Sequence, residues 1–377
     1  MPSLPGIASG QLLLYEIFDV ADEADLLAVE RVLGSDSANG VPVVRRLQLE
    51  RQRSSVTFAN PPVTVRLGER TLPLIGSAYA VAAVAKIYDF GALTILWSVD
   101  IPPGTTLGGL VDLAEAIEHS RPQLDDRMRD DAVAASRLME RALSEPELRT
   151  VNESFTVFSI AAFQGDVSAD ALLAAPELHA LMVGDREHLS TQLRDELRAT
   201  SFSYSDHDLV AIGYDHAIIY DAVNAGDIAA LLEFALAQVL ELDYYDDLLD
   251  DRISHVIDTV QATRRGRRHG RGRSNFESLR RELMLQHMDF VEVLERVTAA
   301  VKVTEDFYYA TVYRAAMRIF RAEELLDATN RKLDLMFRTY TMLADEADSE
   351  KSHRLELVIV GLIIAEIVLT IVTDILR

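Results

Sequence analysis

The sequence predicts an α+β fold: an N-terminal mixed α/β body, then a long helical, coiled-coil-like arm, then a C-terminal transmembrane helix. Three observations carry this prediction. Up to Tyr220 the apolar residues fall in short blocks separated by Gly and Pro, the pattern of paired strands with a few helices between them. From Asp227 onward apolar residues recur at heptad spacing. Leu357 to Thr373 is a 17-residue run broken only by Glu366, and a helix from Leu355 to Leu376 would be roughly 33 Å long, the thickness of a bilayer core. The expected divisions are a body over 1–222, an arm over 223–350 and an anchor over 351–377.

The composition fits a chain of this size with a substantial core: 377 residues, 49% of them hydrophobic. There are no cysteines, which excludes disulfides, thiolate catalysis and Cys-based zinc sites. The net charge of -23 makes the chain as a whole repel nucleic acid and anionic lipid, so any such contact must be local.

In the body, Gln11 to Phe18 (QLLLYEIF) reads as a strand, and Asp19 is placed to cap a helix over Ala21 to Leu33. Short strand candidates follow from Val41, Ser54, Val63 and Thr71. Ser77 to Asp100 reads as two long apolar strands meeting at Asp89-Phe90-Gly91, with Trp97, the sole tryptophan, as a core or rim aromatic rather than a binding platform. Pro102-Pro103-Gly104 ends that pair. Thr105 or Thr106 then starts a helix to about His119, and a second amphipathic helix runs from about Gln123 to Leu143. Beyond Pro146 come a strand over Ser154 to Phe163, helical segments from Ser168 to about Leu197, and short strands ending at Tyr220.

In the arm, Ile228, Ala235, Leu242, Leu249 and Val256 share one heptad position, and Leu232, Val239, Ile253 and Val260 the other, with Asp246 interrupting the seam. A second helix carries Phe276, Leu283, Phe290 and Val297. A third alternates Val312, Ile319, Leu326, Leu333 and Tyr340 with Ala315, Ala322, Thr329, Met336 and Leu343.

On the tail, Glu366, Thr370, Thr373 and Asp374 recur on one helical face, with Gly361 and Ala365 forming a small-xxx-small pair. Copies of the tail are therefore expected to pack through Gly361, Ala365, Glu366 and Thr370, giving a homo-oligomer. The basic flank Lys351, His353 and Arg354, and the absence of a signal peptide over Met1 to Gly10, predict a single-pass membrane protein with its body on the cytoplasmic side.

One stretch suggests a partner. Arg264 to Arg273 (RRGRRHGRGR) holds six arginines, Arg264, Arg265, Arg267, Arg268, Arg271 and Arg273, and no acid. Arginine forks match phosphate oxygens, and glycine lets the backbone approach them. An antiparallel hairpin would place this turn roughly 36 Å from the membrane, beyond a Debye length of about 8 Å, so RNA, a ribosome or an acidic protein is the expected partner. The alternative is a solvated turn. Acidic and His clusters lie at Asp243 to Asp251 and at Asp206, His207, Asp208, Asp215 and His216. They support a second reading, a metal-dependent hydrolase or nuclease, but lack EF-hand spacing, and no HExxH, GxSxG or GxxxxGK[ST] pattern occurs. The expectation is accordingly no catalytic residue, no metal, no cofactor and no small-molecule substrate.

Asp89 to Asp100 (DFGALTILWSVD), the NESFTVF segment from Asn152, the ALAQVLELDYYDD helix and the final RLELVIVGLIIAEIVL together resemble the RMND/YagE family, from about Tyr79 to the C-terminus. Leu181 to Tyr220 is divergent from it, and the Arg264 to Arg273 tract is not a feature expected across it. The resemblance implies a membrane-associated protein without established enzymatic activity, in a family whose mitochondrial member supports translation, and it transfers no catalytic residue. The reading that joins these observations is a non-enzymatic, tail-anchored oligomeric adaptor or scaffold.

Overall fold

The computed structural model describes residues 4–35, 44–46, 56–58, 60–74, 77–183, 190–223, 225–266, 301–303, 307–339, 341 and 342, with further helical positions between 281 and 297 and at 359, 360 and 363. The chain forms two compact units, one from Met1–Tyr244 with Glu295–Leu325, the other from Tyr245–Leu294 with Leu326–Arg377.

The first unit is built on β1 (Ile7–Asp19), a 13-residue strand buried along almost its whole length. It pairs antiparallel with β7 (Ala92–Asp100) on one side and β9 (Asn152–Phe163) on the other. Between β1 and β7 lie β2 (Glu23–Ala24), α1 (Leu26–Ser35), β3 (Val44–Arg46), β4 (Val56–Phe58) and two long strands, β5 (Val63–Leu74) and β6 (Ser77–Ile87). After β7 come α2 (Leu107–Met139), β8 (Leu143–Ser144) and β9. Beyond β9 follow α3 (Ala169–Leu173), α4 (Pro176–Val183), α5 (Thr191–Ala199), β10 (Ser201–Phe202), β11 (Leu209–Ile212) and β12 (His216–Tyr220). The main sheet has nine strands in the order β10-β11-β12-β9-β1-β7-β6-β5-β3, antiparallel except where β12 runs parallel to β9.

The β6–β7 hairpin closes at the expected Asp89-Phe90-Gly91. Gly91 has φ 100°, and a Cβ there would lie 1.8 Å from the Ala21 carbonyl oxygen, so only glycine fits. Alternate residues of the strands divide between the two faces of the sheet. Leu12, Leu14 and Phe18, Ala83, Ala85 and Ile87, and Leu93, Ile95 and Trp97 pack in one cluster with Leu110, Ala114, Ile117, Leu124 and Met128 of α2. Trp97 is a core residue, 1% exposed, and donates from Nε1 to Asp131 at 3.0 Å. The opposite face carries Tyr15, Lys86, Thr94 and Phe155, and meets α6 (Ala225–Gly266) and the end of α7 (Phe307–Ile319). Between these two helices, β13 (Val301–Val303) pairs with β4.

Four local expectations differ from the structure. The strands expected from Val63 and from Thr71 are the single strand β5, in which Gly68 marks an irregularity of register rather than a break. Asp19 does not cap α1; Asp25 does, its Oδ1 accepting from the N–H groups of Leu27 and Ala28 at 3.0 and 2.9 Å, and the helix starts five residues later than expected. The two helices expected after Thr106 are a single helix of 33 residues, capped by Thr106, whose Oγ1 accepts from Gly109 N at 3.1 Å. Pro122 lies inside it and removes one backbone hydrogen bond, but Ser120, Leu124, Met128 and Ala132 stay buried across the proline, so packing carries the helix through. The third heptad helix is broken at Phe320 and Arg321, where Arg321 has φ 62°, and helix resumes over residues 322–339.

Within the first unit, α6 is buried almost all round from Ile228 to Leu242, more than a heptad seam requires. Within the second unit, Tyr245 packs edge-on against Phe290 at 5.8 Å, and Leu249, Val256, Leu333 and Met336 are buried. Lys332 Nζ lies 2.8 Å from Asp246 and 2.7 Å from Asp250, which answers the acid that interrupts the seam.

The membrane expectation is corrected. Among the described residues no helix is long and apolar enough to cross a membrane. A span needs about 20 consecutive apolar residues in one helix, whereas the two longest described helices, α2 and α6, carry charged residues along their length. This overturns the C-terminal transmembrane helix, the single-pass localisation and the cytoplasmic-side orientation derived from it. Of the expected anchor only positions 359, 360 and 363 are described; Gly361, Ala365, Glu366 and Thr370 lie outside the described residues.

Candidate functional site

The polar interior of the first unit falls into two clusters, one on each face of the sheet. On the α6 face, Arg149, which follows Glu145 and Pro146, turns its guanidinium inward to donate to both Asp19 and Asp22, and stacks over the Tyr244 ring at 3.9 Å. Asp19 closes β1 and is fully buried. Burial pushes its carboxyl up to about 6 against the opposing pull of Arg149. Glu241 of α6, also fully buried, is driven well above the carboxylate range by burial and then by the Asp19 charge, and neither of its oxygens has a hydrogen-bond partner among the described residues. One and two turns earlier on α6, Gln238 accepts from Tyr313 Oη and donates to the Val297 carbonyl, while Glu233 accepts from Lys86 Nζ and, at 3.0 Å, from Tyr88 Oη. Apart from half-exposed Asp22 this cluster is buried, and Glu233 and Gln238 tie α6 to its neighbours.

On the α2 face, Glu16 of β1 accepts from Asn152 Nδ2, and its other oxygen has no partner among the described residues. Burial, and then the Asp125 charge, push Glu16 up to about 8, so it is protonated at neutral pH; burial also raises Asp125. Arg121 reaches Glu118 at 2.7 Å and Thr156 at 3.3 Å. Glu118 Oε1 in turn lies 3.9 Å from Nε2 of His216, the first residue of β12. His216 is 5% exposed and stacks on Phe158. Burial lowers its pKa, outweighing the charges of Glu118 and Asp215, so the ring is neutral at pH 7. A cavity of about 140 Å³ opens here between α2, α4 and β12, lined by Val111, Ala114, Glu115, Glu118, His119, Ala180 and His216. A buried, perturbed imidazole in the wall of a cavity, with the perturbed carboxyls Glu16 and Asp125 on the same face of the sheet, makes this face the stronger candidate for chemistry.

The residues singled out in the sequence are distributed differently. Asp208 accepts from Tyr204 N, Ser205 N and Ser205 Oγ at 2.6, 2.8 and 2.5 Å and so folds its own loop. His207 lies 3.4 Å from Asp166, and Asp215 sits in the β11–β12 turn, its carbonyl accepting from Thr156 N. Asp246 and Asp250 are held by Lys332. Among the described residues no three His, Asp or Glu side chains converge to hold a metal. Of the basic tract, Arg264 and Arg265 fall in the last turn of α6, and Arg267, Arg268, Arg271 and Arg273 lie outside the described residues. Glu16, Glu233, Gln238 and Glu241 belong to no motif in the sequence. The available signal was an acid or amide inside an otherwise apolar stretch, LLLYEIF in β1 and LLEFALAQVLEL in α6.

A family model described as the uncharacterized protein MJ0711, N-terminal domain, matches residues 9–227, and the chain belongs to this family. The uncharacterized protein MJ0711 of Methanocaldococcus jannaschii is similar to it, 25% identical over 195 residues, which are 52% of this chain and 58% of that protein. The chain therefore matches less than two thirds of that relative's length. No solved structure matches the chain.

Proposed function

We propose that this protein is a non-enzymatic scaffold that self-associates through its helical second unit and offers its Arg264 to Arg273 tract to a phosphate-bearing partner, RNA or a ribosome. One observation carries the self-association. Met284, Leu285, Met288 and Val291 are 49%, 56%, 58% and 37% exposed on a helix that buries Phe290. Positions 284, 288 and 291 fall on one helical face, with 285 beside them. In the same unit Ile257, Leu335, Phe337 and Met342 are also about half exposed. Apolar side chains gathered in this way mark an interaction surface, and methionine suits a face that must adapt to a partner.

The basic tract supports the second half of the reading. Six arginines without an acid, in a chain of net charge -23, form a local site for phosphate where the rest of the surface repels it. The resemblance to RMND/YagE proteins, carried by Asp89 to Asp100, the NESFTVF segment, the ALAQVLELDYYDD helix and the final RLELVIVGLIIAEIVL, agrees with a protein without established enzymatic activity. Light scattering on size-exclusion fractions of the chain and of a Leu285→Glu, Met288→Glu variant tests the reading. The variant is expected to lose at least half the mass of the wild-type assembly with unchanged circular dichroism. Equal masses would remove the proposed surface.

A further inference from the structure

The cavity on the α2 face has features that the scaffold reading does not use. Its back wall is the His216 ring, held flat against Phe158 at 13° between planes. Nε2 of this ring is buried and has no hydrogen-bond partner among the described residues. Glu118 Oε1 lies 3.9 Å away and already accepts from Arg121. Two acceptors 3.9 Å apart can share one donor nitrogen that sits to the side of the line joining them, at ordinary hydrogen-bond lengths from both. The side walls, Val111, Ala114 and Ala180, are apolar, and the remaining lining residues are Glu115 and His119.

Charge selects among donors. Glu115 and Glu118 line the cavity and Asp215 acts on His216, while among the described residues the cation acting on His216 is Arg121. His216 itself is neutral at pH 7, and with its proton on Nδ1 the ring presents Nε2 as an acceptor. The balance repels anions and favours a cation. A metal ion does not suit it, because no three His, Asp or Glu side chains among the described residues converge on a point. The volume of about 140 Å³ is close to that of engineered apolar cavities of about 150 Å³ that accept benzene, so it admits a ligand of about six heavy atoms.

We infer that this cavity binds a small primary ammonium compound, the ammonium bridging Glu118 Oε1 and His216 Nε2 and a short apolar body lying against Val111, Ala114 and Ala180. The test titrates the full chain, carrying 13Cε1-labelled histidine, with n-butylammonium chloride, and follows the His216 resonance, assigned by its loss in His216→Asn. A saturable shift in the millimolar range is expected of so small a ligand. The shift should be absent with n-butanol and at least tenfold weaker in Glu118→Gln, a half-exposed position where the change leaves the fold intact. Three results would overturn the inference: no movement of His216 up to about 50 mM ligand, which would leave only water in the cavity; an equal shift with n-butanol; or undiminished binding in Glu118→Gln.

Discussion

Replacing Glu233 with leucine should destabilise the first unit severely, and replacing Lys86 together with it should not. Lys86 Nζ and Tyr88 Oη both donate to Glu233, from a strand whose Lys86 is 8% exposed to a helix whose Glu233 is 1% exposed. Glu233→Leu leaves a buried ammonium without its anion, which costs about 3 to 5 kcal/mol, and a buried phenol without its acceptor, which costs about 1 kcal/mol more. The sum is a large part of the roughly 5 to 15 kcal/mol that holds a domain folded. Lys86→Met with Glu233→Leu exchanges the ion pair for packed apolar groups, and such exchanges are close to neutral, within about 1 to 2 kcal/mol. Urea unfolding at pH 7, followed through the fluorescence of buried Trp97 two strands from the sheet edge pair β5–β3, reads this unit directly. A loss below about 1 kcal/mol in Glu233→Leu, or a double variant as unstable as the single one, would refute the reasoning.

Other expectations follow from single sites. Glu16 is raised to about 8 in the folded chain from 4.5, so the native state keeps a proton that the unfolded state loses. Stability should therefore be greatest below pH 4.5 as far as Glu16 is concerned, fall as pH rises to about 8, and level off above it. Glu16→Gln should flatten that slope, an effect approaching about 5 kcal/mol across the window, read by thermal melts from pH 5 to 9. Gly91→Ala should cost more than about 2 kcal/mol and lower the midpoint of unfolding, because the new methyl meets the Ala21 carbonyl and the backbone sits at φ 100°. Lys332→Met should loosen the second unit by about 1 to 3 kcal/mol by leaving Asp246 on the seam without its cation, and Asp246→Leu should restore it, as hydrogen exchange over residues 326–339 would report.

Much of the first unit was legible because periodicity and breakers act locally. The strands around Asp89-Phe90-Gly91, the Thr106 cap and the core place of Trp97 each follow from a few neighbouring residues. What was not legible depends on contacts between residues distant in sequence. Asp19 looks like a cap until Arg149, 130 residues later, claims it. Pro122 looks like a helix end until the sheet beneath α2 holds both sides of it. Glu233 and Glu241 look like the polar side of an amphipathic helix until α6 is buried all round. The apolar tail reads as a membrane span from the length of its run and its basic flank, whereas among the described residues no helix is long and apolar enough to cross a membrane. The candidate cavity was the least legible feature: His216 was noted only as part of a possible metal cluster, while Glu118 and His119 on α2 belong to a different part of the chain.

The most direct test of the scaffold account is the mass of the intact chain in solution, measured by sedimentation velocity at about physiological ionic strength of 0.15 M over a hundredfold range of protein concentration. The account predicts a species of twice the 41.9 kDa chain mass or a higher whole-number multiple, dissociating only on dilution. A single 41.9 kDa species at every concentration would contradict it.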